Sequence, residues 1–154
     1  MNKINSNLFK LAMSKYATGV TIITINNKEK YFGKTVNSFA ALSLKPPLIL
    51  FSLDKKSSSL NIFKKSSFFG INILSKNQKK LSNYFSMKNP LWKNTPFTLS
   101  KNNVPLVNNC VANIDCKKIK LINQGDHIIF ICKINTVKIN EKKKPLIYLN
   151  SKYI

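Results

Sequence analysis

Apolar residues follow helical spacing at the start of the chain. Leu8, Phe9, Ala12, Met13 and Tyr16 fall on one face, so residues 7–16 are expected to form a helix, with Ser6 as its cap and Gly19 ending the element. The pattern then changes. Val20 to Ile25 (V-T-I-I-T-I) is β-branched throughout and predicts a strand. The polar run from Asn26 to Lys30 predicts a hairpin turn, and Tyr31 to Ser38 returns as a second strand. Pro46-Pro47 interrupts the chain before a buried strand from Leu48 to Leu53. A short helix is expected from Ser57 to Lys65, with serines at its start, and a strand from Phe68 to Leu74. Lys76 to Ser86 reads as a helix with Leu81, Tyr84 and Phe85 on one side. Met87 to Asn103 carries Pro90, Pro96 and several Asn and Lys, and reads as a loop. It is long for a loop inside a compact domain, which suggests a lid or a dimer contact. Strands resume from Cys110 to Ile122 and from Asp126 to Ile139, joined by Asn123-Gln124-Gly125. A last short strand is Leu146 to Leu149.

Six or seven closely spaced strands, with three helices outside the strand runs, predict a mainly β (α+β) fold built on an antiparallel barrel. No repeat or linker divides residues 1–154, so a single domain is expected. A doubly wound parallel sheet is not expected. The glycine-rich dinucleotide fingerprint is absent, and the whole chain holds four glycines.

Composition changes this picture little. The formal net charge of +21 invites a nucleic-acid reading, but every basic residue is Lys. Arg is the residue whose planar fork reads bases and phosphates in a bidentate way. Lys, Asn and Ile are also the residues that AT-rich codons favour, so genome bias is the simpler cause and no specific nucleic-acid partner is expected. Cys110, Cys116 and Cys132 lack metal-type spacing, and one histidine cannot complete a usual zinc site. Buried reduced thiols and no metal are expected. No apolar run is long enough to span a bilayer, and Met1 to Tyr16 lacks the features of a signal peptide. These points predict a cytoplasmic protein without membrane attachment.

Four clusters could carry chemistry. Gly33-Lys34-Thr35-Val36-Asn37-Ser38-Phe39 places small and hydrogen-bonding residues at a strand end, where backbone N–H groups and hydroxyls can meet a planar heterocycle or simply form a polar strand end. Ser43-Leu44-Lys45-Pro46-Pro47-Leu48 is an extended, rigid approach to a buried strand. Asp54-Lys55-Lys56-Ser57-Ser58-Ser59 sets lysines and serines at the opening of a helix, which suits a phosphate as well as it suits an ordinary cap. Gly125-Asp126-His127 puts the only histidine just after a glycine turn, at a strand mouth.

The order of these pieces resembles the short-chain flavin reductases with the flavin-binding split-barrel fold. These are the reductase partners of two-component flavin monooxygenases, such as the 4-hydroxyphenylacetate hydroxylase reductase. The likeness runs from Phe9 to Tyr153 through F-K-L-A-M-S-K-Y-A-T-G-V-T-I-I-T, G-K-T-V-N-S-F, S-L-K-P-P-L, K-S-S-S, F-F-G-I-N-I-L, Gln78, Phe85, G-D-H-I-I-F and P-L-I-Y-L-N-S-K-Y. The resemblance implies a split barrel with Greek-key topology. It implies that Thr35, Val36, Asn37, Ser38 and Phe39 line the flavin ring and ribityl chain, and that Ser43 and Pro46 close that pocket. Ser52 would face the flavin, Lys56, Ser57, Ser58 and Ser59 would hold its phosphate, and Phe85 would border the site. His127, Tyr148 and Tyr153 would contact the nicotinamide. The sequence departs from the family at Val36, where Ala is usual, and at Lys45, where Asp is usual. It also has Asn150-Ser151 in place of a glycine step, and Lys133 where an acidic residue is common.

The activity so implied is transfer of hydride from NADH or NADPH to FMN or FAD, with reduced flavin passing to a partner monooxygenase or another acceptor. A homodimer is implied. The chemistry belongs to the cofactor, so no strong general base is needed, and His127 is expected to position rather than to donate a proton. Two other readings remain at this level: an FMN- or haem-binding barrel without nicotinamide turnover, and a basic nucleic-acid-binding barrel.

Overall fold

A computed structural model describes residues 4–154. Helix α1 covers Ser6–Ser14, and its cap is Asn5 rather than Ser6. Asn5 is extended, and its Oδ1 accepts the Leu8 N–H at 2.9 Å, one residue earlier than the sequence suggested. None of its residues is fully buried, and Phe9, Leu11 and Met13 are exposed. Further on, Asn150 ties the helix down, donating its N–H to the Ser14 carbonyl at 2.7 Å.

The strands that follow are β1 (Thr18–Gly19), β2 (Thr21–Asn27), β3 (Lys30–Val36), β4 (Ala40–Ser43) and β5 (Leu48–Asp54). Helix α2 (Leu60–Lys65) and strand β6 (Phe68–Ile73) come next. A 3-10 turn, Lys76–Gln78, leads into α3 (Lys79–Ser86). The chain closes with β7 (Phe97–Leu99), β8 (Pro105–Val107), β9 (Ala112–Gln124), β10 (His127–Ile139), β11 (Ile147–Leu149) and β12 (Lys152–Tyr153). Seven strands form one antiparallel sheet in the order β3-β2-β6-β9-β10-β5-β4. The segment following β3, at one end of the sheet, is tied to β5, next to the other end, through a side chain. Just past β3, the Ser38 hydroxyl donates to the Ser52 carbonyl at 2.9 Å and accepts the Ser52 N–H at 3.1 Å. One hydroxyl thus does the work of a ladder step where the barrel is split.

Alternation along the strands fills the interior. Ile49, Phe51 and Leu53 from β5 face Ile128, Phe130 and Cys132 from β10. Phe51 and Phe130 stack with centroids 4.8 Å apart, and Phe69 meets both edge-on. A second cluster packs Val20, Ile22, Leu74, Phe85, Val107, Cys110 and Leu146 together. Here Gly33 lets α3 approach the sheet: a Cβ at this position would lie 2.6 Å from the Phe85 ring.

Several boundaries differ from expectation for local reasons. Gly19 lies inside β1, which pairs with β11, and does not simply end the first helix. Helix α2 starts at Leu60, because Ser57 donates its N–H to Asp54 and Leu60 to Ser57, so the serines build a turn at the strand end. Residues 97–107 carry the hairpin β7–β8 instead of plain loop. Its entrance is held by Trp92, whose ring contacts Tyr31, Phe85 and Phe97. Strands β1, β4 and β12 are too short to show in a hydrophobic pattern. No helix among the described residues is long and apolar enough to cross a membrane.

Candidate functional site

Two cavities open where β3 ends. The first, about 420 Å³, is walled by residues 34–38 at the β3 end, residues 52–54 of β5, Lys56, Ser57 and Ser58 of the turn, Ser86 at the end of α3, Lys88 just beyond it, and His127. The second, about 500 Å³, is walled by Val20, Thr35, Val36, Asn37, Asn83, Ser86, Tyr148, Ser151 and Tyr153. Thr35, Val36, Asn37 and Ser86 belong to both, so the cavities are two lobes on a shared wall.

Hydrogen bonds fix that wall from behind. The Thr35 hydroxyl donates to the Ser82 carbonyl at 2.8 Å, and the Ser82 hydroxyl meets the Tyr153 hydroxyl at 2.8 Å. The end of β3, helix α3 and the closing strand are therefore one unit. Tyr148 and Tyr153 pack edge to face at 5.3 Å, and the Lys79 ammonium sits 5.7 Å from the Tyr153 ring.

The first lobe is rich in cations. Lys34, Lys56 and Lys88 line it against a single carboxylate, Asp54. Lys34 donates to the carbonyls of Ser86 and Met87, holding the loop beyond α3 against β3. Asp54 accepts the Lys56 N–H at 2.7 Å, which shapes the serine turn. Ammonium and hydroxyl groups converging at one end of a cleft suit a phosphate.

His127 pairs with Asp54 in the ladder, and so stands on the rim of this first lobe. Its Nδ1 lies 2.7 Å from Asp126 Oδ1. The hydrogen bond from His127, and then its charge, hold the Asp126 carboxyl below the usual carboxylate range. This contact engages Nδ1 and leaves Nε2 facing away from Asp126 and available to a ligand.

The structure brings together Thr35, Val36, Asn37, Ser38, Ser52, Lys56, Ser57, Ser58 and His127 in the first lobe, and Tyr148 and Tyr153 in the second. His127 is thus placed across the shared wall from the two tyrosines. Ser59 lies behind the turn, its hydroxyl 3.2 Å from that of Ser57. Phe85 is fully buried beneath Gly33 instead of bordering a lobe, because the glycine draws its ring into the second core cluster. Phe39 packs against the main core, Ser43 lies in β4 at the sheet edge, and Pro46 follows a cis peptide on an exposed turn. None of these last three lines either lobe. Lys34, Asn83, Ser86, Lys88 and Ser151 line the lobes and were not singled out as site residues in the sequence. Of these, Lys34 carried a signal through its place beside Thr35, and Ser151 through the closing motif.

Among the described residues, no three His, Cys, Asp or Glu side chains converge as metal ligands. The cysteines are free and buried. Burial pushes the Cys110 thiol up to about 12, and contact with Cys132 together with burial raises Cys116 as well. Both thiols are therefore protonated and unreactive at neutral pH.

Residues 13–154 match the family model described as "Flavin reductase like domain". The chain is 34% identical over 130 residues to FMN reductase (NADH) SmoA of Agrobacterium fabrum, covering 84% of this chain and 75% of that one. It is 30% identical over 151 residues to the reductase subunit HsaB of a flavin-dependent monooxygenase from Rhodococcus jostii, covering 97% of this chain and 77% of that one. Among solved structures, flavin reductase PheA2 superposes with a TM-score of 0.90 at 34% identity, over 98% of this chain and 97% of that one.

Proposed function

The chain belongs to the flavin reductase-like family and is an NAD(P)H-dependent flavin reductase, and from that premise we propose how its two lobes divide the work. The first lobe takes the flavin and the second receives the nicotinamide nucleotide, with the reacting rings meeting at Thr35, Val36 and Asn37. The shared wall carries this reading: two adjoining cavities that join at one strand end suit two ligands that must touch. The donor set fits a flavin, with strand-end backbone for the ring system and lysines and serine hydroxyls for the phosphate. A bound flavin supplies the hydride acceptor at its ring; the protein supplies alignment and shelter from water.

The residues act as follows. The bonds from Thr35 to Ser82 and from Ser82 to Tyr153 keep the common wall rigid, so that two ligands share a fixed stacking plane. Ser38 is spent on the Ser52 backbone and shapes the floor. Lys56, Ser57 and Ser58 bind the flavin phosphate, assisted by Lys88. His127, oriented by Asp126, lines the first lobe and not the second, and meets the nicotinamide ring where that ring stacks over the flavin, while Tyr148 and Tyr153 bound the nucleotide in the second lobe. No side chain in either lobe needs to act as a strong base, which agrees with the single carboxylate and single imidazole present.

Reduced flavin then passes to a separate oxygenase, a reading supported by the likeness to HsaB, the reductase subunit of a flavin-dependent monooxygenase. A homodimer and a cytoplasmic setting complete the proposal. The exposed apolar side chains of α1 and of Leu42 and Leu44 support the first, and three free thiols the second. The test is steady-state oxidation of NADH and NADPH by the pure protein with FMN or FAD. Turnover dependent on added flavin is expected. No consumption with any pairing contradicts the reading.

A further inference from the structure

Ser82 is wholly buried on α3, the helix whose Asn83 and Ser86 line the second lobe. Among the described residues its hydroxyl has one hydrogen-bond partner, the Tyr153 hydroxyl at 2.8 Å. Burial decides which oxygen gives the proton. A hydroxyl shut away from water must place its proton on an acceptor, and Tyr153 Oη is the acceptor present. Ser82 therefore donates and Tyr153 accepts, and among the described residues no other bond claims the phenol proton. Tyr153 lines the second lobe and is half-buried, so that proton is offered to the lobe. The ring is held in place: Tyr148 packs against it edge to face, and Lys79 Nζ lies 5.7 Å from its centroid. Two other hydroxyls lining the lobe have their protons engaged elsewhere, Thr35 on the Ser82 carbonyl and Ser86 on the Asn83 carbonyl.

We propose that Ser82 is a positioning residue that sets Tyr153 as a hydrogen-bond donor toward an acceptor oxygen of the nicotinamide nucleotide. The inference rests on the second lobe receiving that nucleotide, and adds the polarity of the contact. Carboxamide, ribose and phosphate oxygens all accept hydrogen bonds, so a phenol fixed as donor matches the ligand. A phenol that gave its proton to Ser82 would present only lone pairs to the lobe, which carbonyl and phosphate oxygens do not bind. Oxidised and reduced nucleotide carry the same oxygens, so the contact serves binding and not the hydride step. Ser82 does not line the lobe and acts through Tyr153 alone. The two hydroxyls also differ in what each loses without the other. Ser82 is sealed from water, whereas Tyr153 faces a lobe where water can take its partner's place.

The test reads the Kd of NAD+ by calorimetry with FMN saturating, and the melting of the ligand-free protein, in the wild type, Tyr153→Phe, Ser82→Ala and the double variant. Tyr153→Phe is expected to raise the Kd of NAD+ by about two- to tenfold. Ser82→Ala should raise it by about twofold, since the released phenol proton is free to rotate. In the Tyr153→Phe background Ser82→Ala should add nothing, because its effect passes through the phenol. In melts, Tyr153→Phe should lower the midpoint more than Ser82→Ala does, because it strands a buried hydroxyl proton, and the double variant should recover most of that loss. Replacing Tyr153 alone by 3-fluorotyrosine, a stronger donor and weaker acceptor, should tighten NAD+ at neutral pH. Additive losses of NAD+ affinity, an unchanged Kd in Ser82→Ala, equal melting losses in the two single variants, or weaker NAD+ binding by the fluorotyrosine form each overturn the proposal. Binding of NAD+ by none of the proteins, with the melting pattern intact, would instead strike the nucleotide-site reading and the proposal with it, so the two failures are distinct.

Discussion

His127 is held by a neighbour in sequence, Asp126, and stands opposite Asp54 in the β5–β10 ladder. Its role is therefore one of contact, with the orienting bond supplied from its own turn. His127→Ala is expected to raise the KM for NADH by about two- to tenfold, with flavin affinity held within about twofold, since one hydrogen-bonding contact is removed from one ligand only. Titrations of flavin alongside NADH kinetics check this; a fall in flavin affinity with unchanged NADH kinetics refutes the assignment. Lys56→Ala should weaken FMN by about tenfold and leave riboflavin unaffected, because only FMN carries the charge that Lys56 meets. The thiols give a pH signature. Cys110 ionises near 9 when unfolded and near 12 when folded. The folded chain keeps a proton that the unfolded chain loses, so this contribution is intact below pH 9 and declines as pH rises toward 12. The slope is about 1.4 kcal/mol per pH unit for one thiol, and urea melts at stepped alkaline pH should show it flattened in Cys110→Ala.

Turns decide how the elements meet. Lys28 and Glu29, between β2 and β3, both have positive φ, as do Asn150 and Ser151 between β11 and β12. Such two-residue turns favour Asn and Gly. The glycine step missing from the family pattern at Asn150-Ser151 thus falls where the backbone asks for glycine. Ser151→Gly should stabilise the protein by about 0.5–1 kcal/mol in denaturant melts, through relief of a left-handed side chain. At Gly70 the reverse holds. An added Cβ would lie 2.3 Å from Thr24 Oγ1 and 2.6 Å from the Pro105 carbonyl, and backbone cannot yield easily. Gly70→Ala should cost about 1–3 kcal/mol. The long strands and α3 were legible in the sequence because their patterns run for many residues. The cap at Asn5 and the late start of α2 were not, since several polar residues in a row could each have begun the helix. In the site, Lys34 could be read from its neighbours. Ser86 ends α3 and Lys88 follows it, and both face the lobe through contacts of Lys34 and Asn89 with distant segments, a long-range effect without local pattern.

For the molecule as a whole, a barrel split at Ser38 and Ser52 places two lobes beside one strand end, and fold and chemistry meet there. The exposed apolar α1 and the Leu42–Leu44 edge lead us to expect twice the chain mass by light scattering; a monomer at micromolar concentration would contradict the dimer. The net charge of +21 should give weak polyanion retention that vanishes with salt, without sequence preference. The central claim is direct hydride transfer between ligands held on the shared wall. It is tested most directly by anaerobic single-turnover mixing of the protein and FMN with NADH, deuterated in turn at each C4 position. Rapid bleaching of the flavin absorbance is expected, slowed by deuterium at one C4 face and not at the other. Bleaching no faster than in free solution, or equally affected by both deuterium positions, would contradict it.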